Sequence, residues 1–258
     1  MVFCLLSYIA FPAIAQKDPR YRKITEKELA RLIRTMPITS VKHRFLPINT
    51  LPLKKVAIRE YSSIWRRNPK NPWASLRYGR NLQSYVLFAS YYPKEKLLRG
   101  SAEANKLMAR VGNLLQTALR AKPNLAEANT AYGWFLIDHE NILRQGFSYL
   151  EKGVELDPKD LGARALLAEA LMNPSNSLYN PQRAEKELLT STCLNPNNAY
   201  TQYLLTRLYG GEKQYQKQQK ALDAYCALVT PEMAKAAKSH WQPDITKGLA
   251  KNKAKVKM

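Results

Sequence analysis

The sequence is short of cysteine, of long apolar runs and of acidic side chains, and each shortage excludes a class of protein. Three cysteines in 258 residues are too few for a scaffold held together by disulfides. No apolar run reaches the roughly 20 residues that a transmembrane helix needs. With 45% hydrophobic residues, the chain still has enough apolar material for a folded core, so a wholly disordered chain is excluded.

Acidic residues number 20 against 41 lysines and arginines, which leaves a formal net charge of +21. The excess is uneven: residues 17–72 carry +11, residues 73–123 carry +7, residues 124–196 carry −4 and residues 197–258 carry +7. A basic first half and a basic tail therefore flank a mildly acidic middle. This distribution favours polyanionic partners such as nucleic acid, anionic lipid, a cell-envelope polymer or an acidic peptide, although a solubilising surface explains it equally well.

Recognisable catalytic and cofactor-binding motifs are missing from the sequence. It contains no G-x-x-x-x-G-K-[ST], no G-x-S-x-G and no G-x-G-x-x-G. His43, His139 and His240 lie far apart, and Leu143 stands where a zinc-protease helix beginning at His139 would need its second histidine. We therefore expect no enzyme, no metal site, no cofactor and no small-molecule substrate.

The first sixteen residues carry no charge and are typical of an export signal. Residues 2–15 are almost continuously apolar, and Ala13-Ile14-Ala15 is an A-x-A cleavage pattern just before Gln16. No lysine or arginine precedes the run, so either the true start lies upstream or the signal is weak; a buried first helix is the alternative. We expect a signal peptide over residues 1–15 and an exported protein (periplasmic, secreted or envelope-associated), or a cytoplasmic one if this segment is not a signal.

Five prolines that follow a polar residue divide the rest of the chain at Pro69, Pro123, Pro158, Pro196 and Pro231, in steps of 54, 35, 38 and 35 residues. The residues twelve, eight and five positions before a proline share one helical face, where small side chains mostly flank a larger one. Before the first four prolines these residues are Ala57, Tyr61 and Ile64; Val111, Leu115 and Ala118; Gly146, Leu150 and Gly153; and Ala184, Leu188 and Ser191. Before the last proline a shift of two positions recovers the pattern at Ala221, Tyr225 and Leu228, which predicts a shortened terminal helix.

A further helix precedes each proline-terminated helix after the first. In most of these preceding helices, a large residue is followed directly by glycine or alanine. The corresponding residues are Ser75, Tyr78-Gly79 and Leu82; Asn129, Tyr132-Gly133 and Leu136; Arg164, Leu167-Ala168 and Leu171; and Gln202, Leu205-Thr206 and Tyr209. A large side chain beside a small one lets two helices pack closely.

Together these patterns resemble the tetratricopeptide repeat (TPR) family over roughly residues 54–231, in four to five units. The copy most similar to the family runs from Ala126 to Asp160, although Gly146 and Gly153 stand where the family usually has alanine. The resemblance implies an all-α fold, an α-solenoid of stacked helix–turn–helix repeats, with a concave groove lined by the first helices.

The remaining segments complete the predicted organisation of the chain. Residues 16–53 form a basic N-terminal helix, which begins with a capping box at Thr25 and Glu28, and a proline-containing connector. Residues 54–123 are divergent helical repeats with an insertion, and residues 124–246 are TPR-like repeats with a closing helix at 232–239. Residues 247–258 are expected to be a lysine-rich disordered tail.

Two cysteines remain if the signal is removed with Cys4. Cys193 and Cys226 lie on the second helices of adjacent repeats. They either pair in an oxidising compartment or are two small buried apolar side chains.

The resemblance implies a non-catalytic scaffold that binds a partner protein or an extended peptide in the concave groove. By register, the side chains predicted to face that groove are Arg80, Gln83, Trp134, Glu169, Tyr200, Tyr203 and Arg207. For the aromatic members, packing against neighbouring helices is the alternative. The rival function is a basic polyanion-binding protein, whose N-terminal half and lysine tail bind a cell-envelope polymer, anionic lipid or nucleic acid.

Overall fold

The computed structural model describes residues 24–40, 50–90 and 97–256, and this part of the chain contains 11 helices and no strand. The predicted all-α class is confirmed. The predicted signal peptide and His43 lie outside the described residues. The described residues divide into two compact units, the first ending at Asp157 and the second beginning at Pro158. None of the helices in the described ranges is both long enough and apolar enough to cross a membrane.

Unit 1 consists of six helices, each of which packs against the next along the chain. They are α1 (Glu26–Thr35), α2 (Leu51–Arg67), α3 (Pro72–Ala89), α4 (Ala102–Ala121), α5 (Ala126–Asp138) and α6 (Leu143–Leu156). The predicted capping box begins α1, since the Thr25 hydroxyl accepts a hydrogen bond from the Glu28 amide at 3.1 Å.

Unit 2 consists of five helices that also pack in chain order, with an additional contact between its first and third helices. They are α7 (Leu161–Leu171), α8 (Pro181–Leu194), α9 (Ala199–Gly211), α10 (Tyr215–Leu228) and α11 (Pro231–Val256). In both units the predicted pairs are present, with α3, α5, α7 and α9 as first helices and α4, α6, α8 and α10 as second helices. The boundary between the units falls inside residues 124–246, a range that the sequence treats as one segment.

Prolines follow the ends of α2 and of the second helices α4, α6 and α8, as their spacing predicts. Helices α2, α4, α6 and α8 each stop two residues before a proline, and their C-cap residues share one backbone conformation, with φ between −138° and −153° and ψ between 80° and 95°. A residue that precedes proline is disfavoured in the α region because it would collide with the proline ring. The repeat period is therefore a direct consequence of where the prolines stand.

The predicted packing stripes are buried in both units. All of the stripe residues on α2, α4, α6 and α8 are buried except Ile64, which is partly exposed. Helices α5 and α6 approach each other closely where Gly133 meets Gly146: a Cβ built on Gly133 would lie 2.6 Å from the Gly146 carbonyl oxygen. The two glycines are thus required by packing, although glycine is a poor helix former.

The prediction for the C-terminal end differs from the structure. A closing helix at 232–239 and disorder from residue 247 were expected, whereas α11 continues to Val256. Two apolar side chains beyond residue 239 explain the difference, because Trp241 and Ile245 are buried. Gly248, one turn further, lies against the ring of Tyr215. The lysine-rich composition of residues 247–258 favoured disorder, and the prediction did not use the apolar residues that precede them.

Candidate functional site

One position recurs in the four first helices with a partly exposed side chain. It lies five residues after Ser75, Asn129, Arg164 and Gln202, and it is occupied by Arg80, Trp134, Glu169 and Arg207. The residue directly before it is buried in every case, and is Gly79, Gly133, Ala168 or Thr206. The helix is therefore packed at the preceding residue, while the next side chain is exposed (Arg80) or partly exposed. Four of the seven predicted site residues occupy it.

In unit 1, two arginines of α3 share one carboxylate of α5. Glu127 binds both Arg77 and Arg80, and Arg77 also donates to the carbonyl of Ser40 at 3.4 Å. Arg77 is buried at 2% exposure, whereas the Arg80 side chain is 42% exposed. Burial lowers the pKa of the Arg77 guanidinium, and the charge of Glu127 opposes that shift. Since two cations face one anion, this face keeps a positive charge at Arg80.

The other two predicted residues of unit 1 differ in exposure. Gln83 is 7% exposed, and its side-chain Nε2 has no hydrogen-bond partner within the described ranges. Trp134 is partly exposed, and no ring contact or hydrogen bond of its indole is found in the part of the chain that the structure describes. Trp134 is therefore the larger available contact surface of the two.

In unit 2, Glu169 of α7 joins two side chains of α9. Its carboxylate accepts hydrogen bonds from the Tyr200 hydroxyl at 2.7 Å and from an Arg207 guanidinium nitrogen at 3.0 Å. Tyr200 stacks on Tyr203 with ring centroids 6.2 Å apart, and Arg207 lies over the same Tyr203 ring. Each of the four side chains is held by at least one of the others, so the group is pre-arranged.

Tyr203 itself belongs to the core of unit 2. It is 2% exposed, and its ring contacts those of Tyr225 and Trp241 at centroid distances of 6.0 Å and 5.6 Å. The structure thus brings Tyr203 together with Tyr200 and Arg207 but leaves its ring little surface for a partner. That any of the seven residues contacts a partner stays a prediction.

The sequence did not single out Arg77 and Glu127, which organise the face of unit 1. They are 50 residues apart, and each lies on a mainly apolar helix. An arginine on an otherwise apolar face was the available signal, but its carboxylate partner depends on how α3 and α5 pack.

Metal-ligating side chains do not cluster in the described ranges. No group of three or more His, Cys, Asp or Glu side chains close enough to hold a metal ion occurs there. Cys193 is exposed, and Cys226 is half-buried with its Sγ donating to the Ala234 carbonyl at 3.7 Å. Both thiols are free in this structure, and the alternative that both are buried apolar side chains is wrong for Cys193, since it is exposed.

Comparison with known proteins yields structural likeness only. No family model matches the sequence, and no curated protein matches it. Among solved structures, the chain is similar to YrrB, described as "a TPR protein with an unusual peptide-binding site", with 17% identity and a TM-score of 0.47 over 83% of this chain and all of that one. It is also similar to MamA, with 14% identity and a TM-score of 0.45 over 80% of this chain and 92% of that one. A MamA RS-1 double mutant is similar too, with 15% identity and a TM-score of 0.48 over 79% of this chain and 96% of that one.

Proposed function

We propose that this chain is a non-catalytic scaffold that binds a partner protein or an extended peptide through side chains of its first helices. The observation that carries the proposal is the recurrent, partly exposed position occupied by Arg80, Trp134, Glu169 and Arg207. The preceding residue is buried each time, so the position is structurally equivalent in the four helices. Its chemistry nevertheless changes from cation to aromatic to anion to cation, which is how a repeated scaffold acquires specificity.

The residue types at and beside this position support a recognition role. Tryptophan, tyrosine and arginine dominate the binding energy of protein interfaces, because they combine a large apolar area with a polar end. In unit 1, Arg80 is exposed beside a carboxylate that it shares with Arg77, so an acidic group of a partner would meet a positive charge. In unit 2, Tyr200 and Arg207 are held by Glu169, which lowers the entropy lost when they bind.

Peptides selected from a random display library on the purified chain test this proposal. The dissociation constant of a selected peptide is measured by fluorescence polarisation for the wild type and for Trp134→Ala and Tyr200→Ala. We expect at least one of the two variants to bind about 30-fold more weakly, as truncating an interface hot spot typically costs about 2 kcal/mol. Exposed second-helix residues give matched controls, Lys106→Ala in unit 1 and Lys186→Ala in unit 2. Equal affinities in all four variants would refute the assignment to the first helices.

Export remains part of the proposal, supported by the apolar residues 2–15 and the A-x-A pattern before Gln16. N-terminal sequencing of the protein recovered from each cellular fraction checks whether the segment is removed and the protein exported.

Binding of a polyanion through the basic N-terminal half and the C-terminal lysines is the alternative proposal, supported by the net charge of +21. Because Gly248 packs on Tyr215, deleting the tail would also disturb unit 2, so charge substitutions are the better test.

A further inference from the structure

We propose that unit 1 carries a second binding surface, specific for an acidic segment of a peptide or protein partner. This basic–aromatic surface consists of Trp65, Arg66, Arg67, Lys70, Trp73, Arg110 and Lys122, on the end of α2, the turn that follows it, the start of α3 and α4. It includes none of the seven residues of the candidate site. The inference rests on the proposed function in one respect, namely that the partner is a protein or peptide.

Cations cover the aromatic rings of this surface. The Arg110 guanidinium lies 5.5 Å from the ring centroid of Trp65 and 5.2 Å from that of Tyr78. The two rings are themselves in contact, with centroids 5.9 Å apart. A guanidinium over an aromatic face is held by the negative charge of the π system, so Arg110 is oriented without a carboxylate. This arrangement links the end of α2 and the first half of α3 to the middle of α4.

The second ring, Trp73, is covered in the same way. Arg77 of α3 lies 5.5 Å from its centroid, and Lys122, just beyond the end of α4, lies 5.7 Å from it. Lys122 is exposed, so its ammonium group combines a ring contact with access to a ligand. Cations therefore stand beside both tryptophans of the surface.

Unlike Arg77, the exposed cations of this surface have no carboxylate partner within the described residues. Within the described residues, none of Arg66, Arg67, Lys70, Arg110 and Lys122 forms an ion pair, and all five are exposed. The sequence has no Asp or Glu between residues 60 and 95, and α4 contains a single one, in its first turn.

Glu127, at the start of α5, binds Arg77 and Arg80, so its charge is already used to neutralise the buried Arg77. Five exposed positive charges are therefore left for carboxylates that a partner supplies, and arginine binds a carboxylate through two parallel hydrogen bonds.

Two other polyanions fit the surface less well than an acidic peptide. Proteins that bind single-stranded nucleic acid offer bare aromatic planes for base stacking, whereas cations or another ring already cover Trp65 and Trp73 here. A membrane-surface site needs exposed apolar side chains that enter the lipid. The exposed large hydrophobic residues of the described ranges all lie elsewhere: Leu98, Ile142, Leu156, Tyr179, Leu189 and Leu194.

A glutamate-rich peptide labelled with fluorescein tests the proposal, with its glutamine counterpart as the uncharged probe. Fluorescence anisotropy is measured for the wild type and for R66A/R67A/K70A. We expect the triple variant to bind the glutamate peptide at least about tenfold more weakly, because three charge-assisted contacts are lost, and the glutamine peptide not to bind. The matched control, K186A/K220A/K235A, removes the same charge from exposed lysines of unit 2 and should stay within about twofold of the wild type.

A second variant and two further probes keep the result decisive. R110A/K122A removes only exposed cations and leaves the rings in place, so it should weaken binding even if the triple variant folds poorly. Equal losses in the triple variant and its control would overturn the proposal in favour of unspecific charge. The further probes are oligodeoxythymidine and phosphatidylglycerol vesicles. If the wild type binds either of them more tightly than the glutamate peptide, and the same variants lose that binding, the proposal is overturned in favour of that ligand. Trp134→Ala should leave the glutamate peptide bound, so failure here and failure of the first-helix proposal are distinguishable.

Discussion

Replacing Gly133 by alanine tests the close backbone contact between α5 and α6. The added Cβ would lie 2.6 Å from the Gly146 carbonyl oxygen, 2.9 Å from the Leu150 amide nitrogen and 3.0 Å from Cβ of Tyr149. Two of these three atoms belong to the backbone of α6, so a rotamer change cannot relieve the contact. Helix α5 or α6 would have to shift as a whole.

Two opposing effects set the magnitude for Gly133→Ala. Alanine is about 1 kcal/mol better than glycine in a helix interior. Overpacking a close contact costs typically 1–3 kcal/mol. Because the clash involves backbone atoms, we expect the upper part of that range and a net loss of about 1 to 2 kcal/mol. For a chain of this length, that loss lowers the melting temperature by roughly 2–8 °C.

Thermal unfolding followed by circular dichroism measures this effect, with Gly211→Ala as the matched control. Gly211 is the last residue of α9, and a Cβ added there would have no atom within 4 Å apart from its chain neighbours and the nearby backbone of its own helix. The control should keep or slightly raise the melting temperature. A Gly133→Ala protein as stable as the Gly211→Ala protein would show that α5 and α6 do not approach as closely as described, and would refute the reasoning.

Two further predictions concern buried charges in unit 1. Glu127→Gln should destabilise the protein by about 3–5 kcal/mol in urea unfolding, since it leaves the buried Arg77 guanidinium without a carboxylate. In the same assay, Glu60→Gln should cost less than half as much, because its partner Arg34 is 60% exposed. Equal costs of the two substitutions would contradict this account. Burial lowers the pKa of Lys54 to about 8, from 10.5 in a solvated chain, so the unfolded state binds more protons between those pH values and stability should rise with pH across that window. The Lys54→Met protein should therefore melt at a higher temperature than the wild type at pH 7, and its stability should not rise between pH 8 and 10.5. If the rise in stability persists in the variant, a group other than Lys54 causes it.

Much of the fold was predictable from local chemistry. A proline bars the residue before it from the α region, so the ends of α2, α4, α6 and α8 follow from four prolines. A threonine hydroxyl satisfies the amide of Glu28, so the start of α1 follows from the capping box. The end of α11 was not predictable in this way, because seeing that Trp241 and Ile245 are buried requires the surface against which they pack.

For the candidate site, too, the sequence predicted what depends on local register and missed what depends on packing between distant helices. Helical register alone placed Arg80, Trp134, Glu169 and Arg207 off the packing stripe, and the structure shows Arg80 exposed and the other three partly exposed. Register could not show that Tyr203 is enclosed by other rings, since Trp241 lies on a helix that begins 20 residues after α9 ends.

By itself, the sequence determined the repeat helices, where prolines end them and which of their faces are buried, because these depend on residues within a few turns of one another. Only the tertiary structure decided which charges meet. Glu127 neutralises Arg77 from 50 residues away, while Arg66, Arg67 and Lys70 receive no carboxylate from the described residues. The physical reason is range: backbone preference acts between neighbours in the chain, whereas an ion pair forms only when packing brings its two groups within about 4 Å. The net charge of +21 was visible at once, but its unneutralised part could be located only on the folded chain.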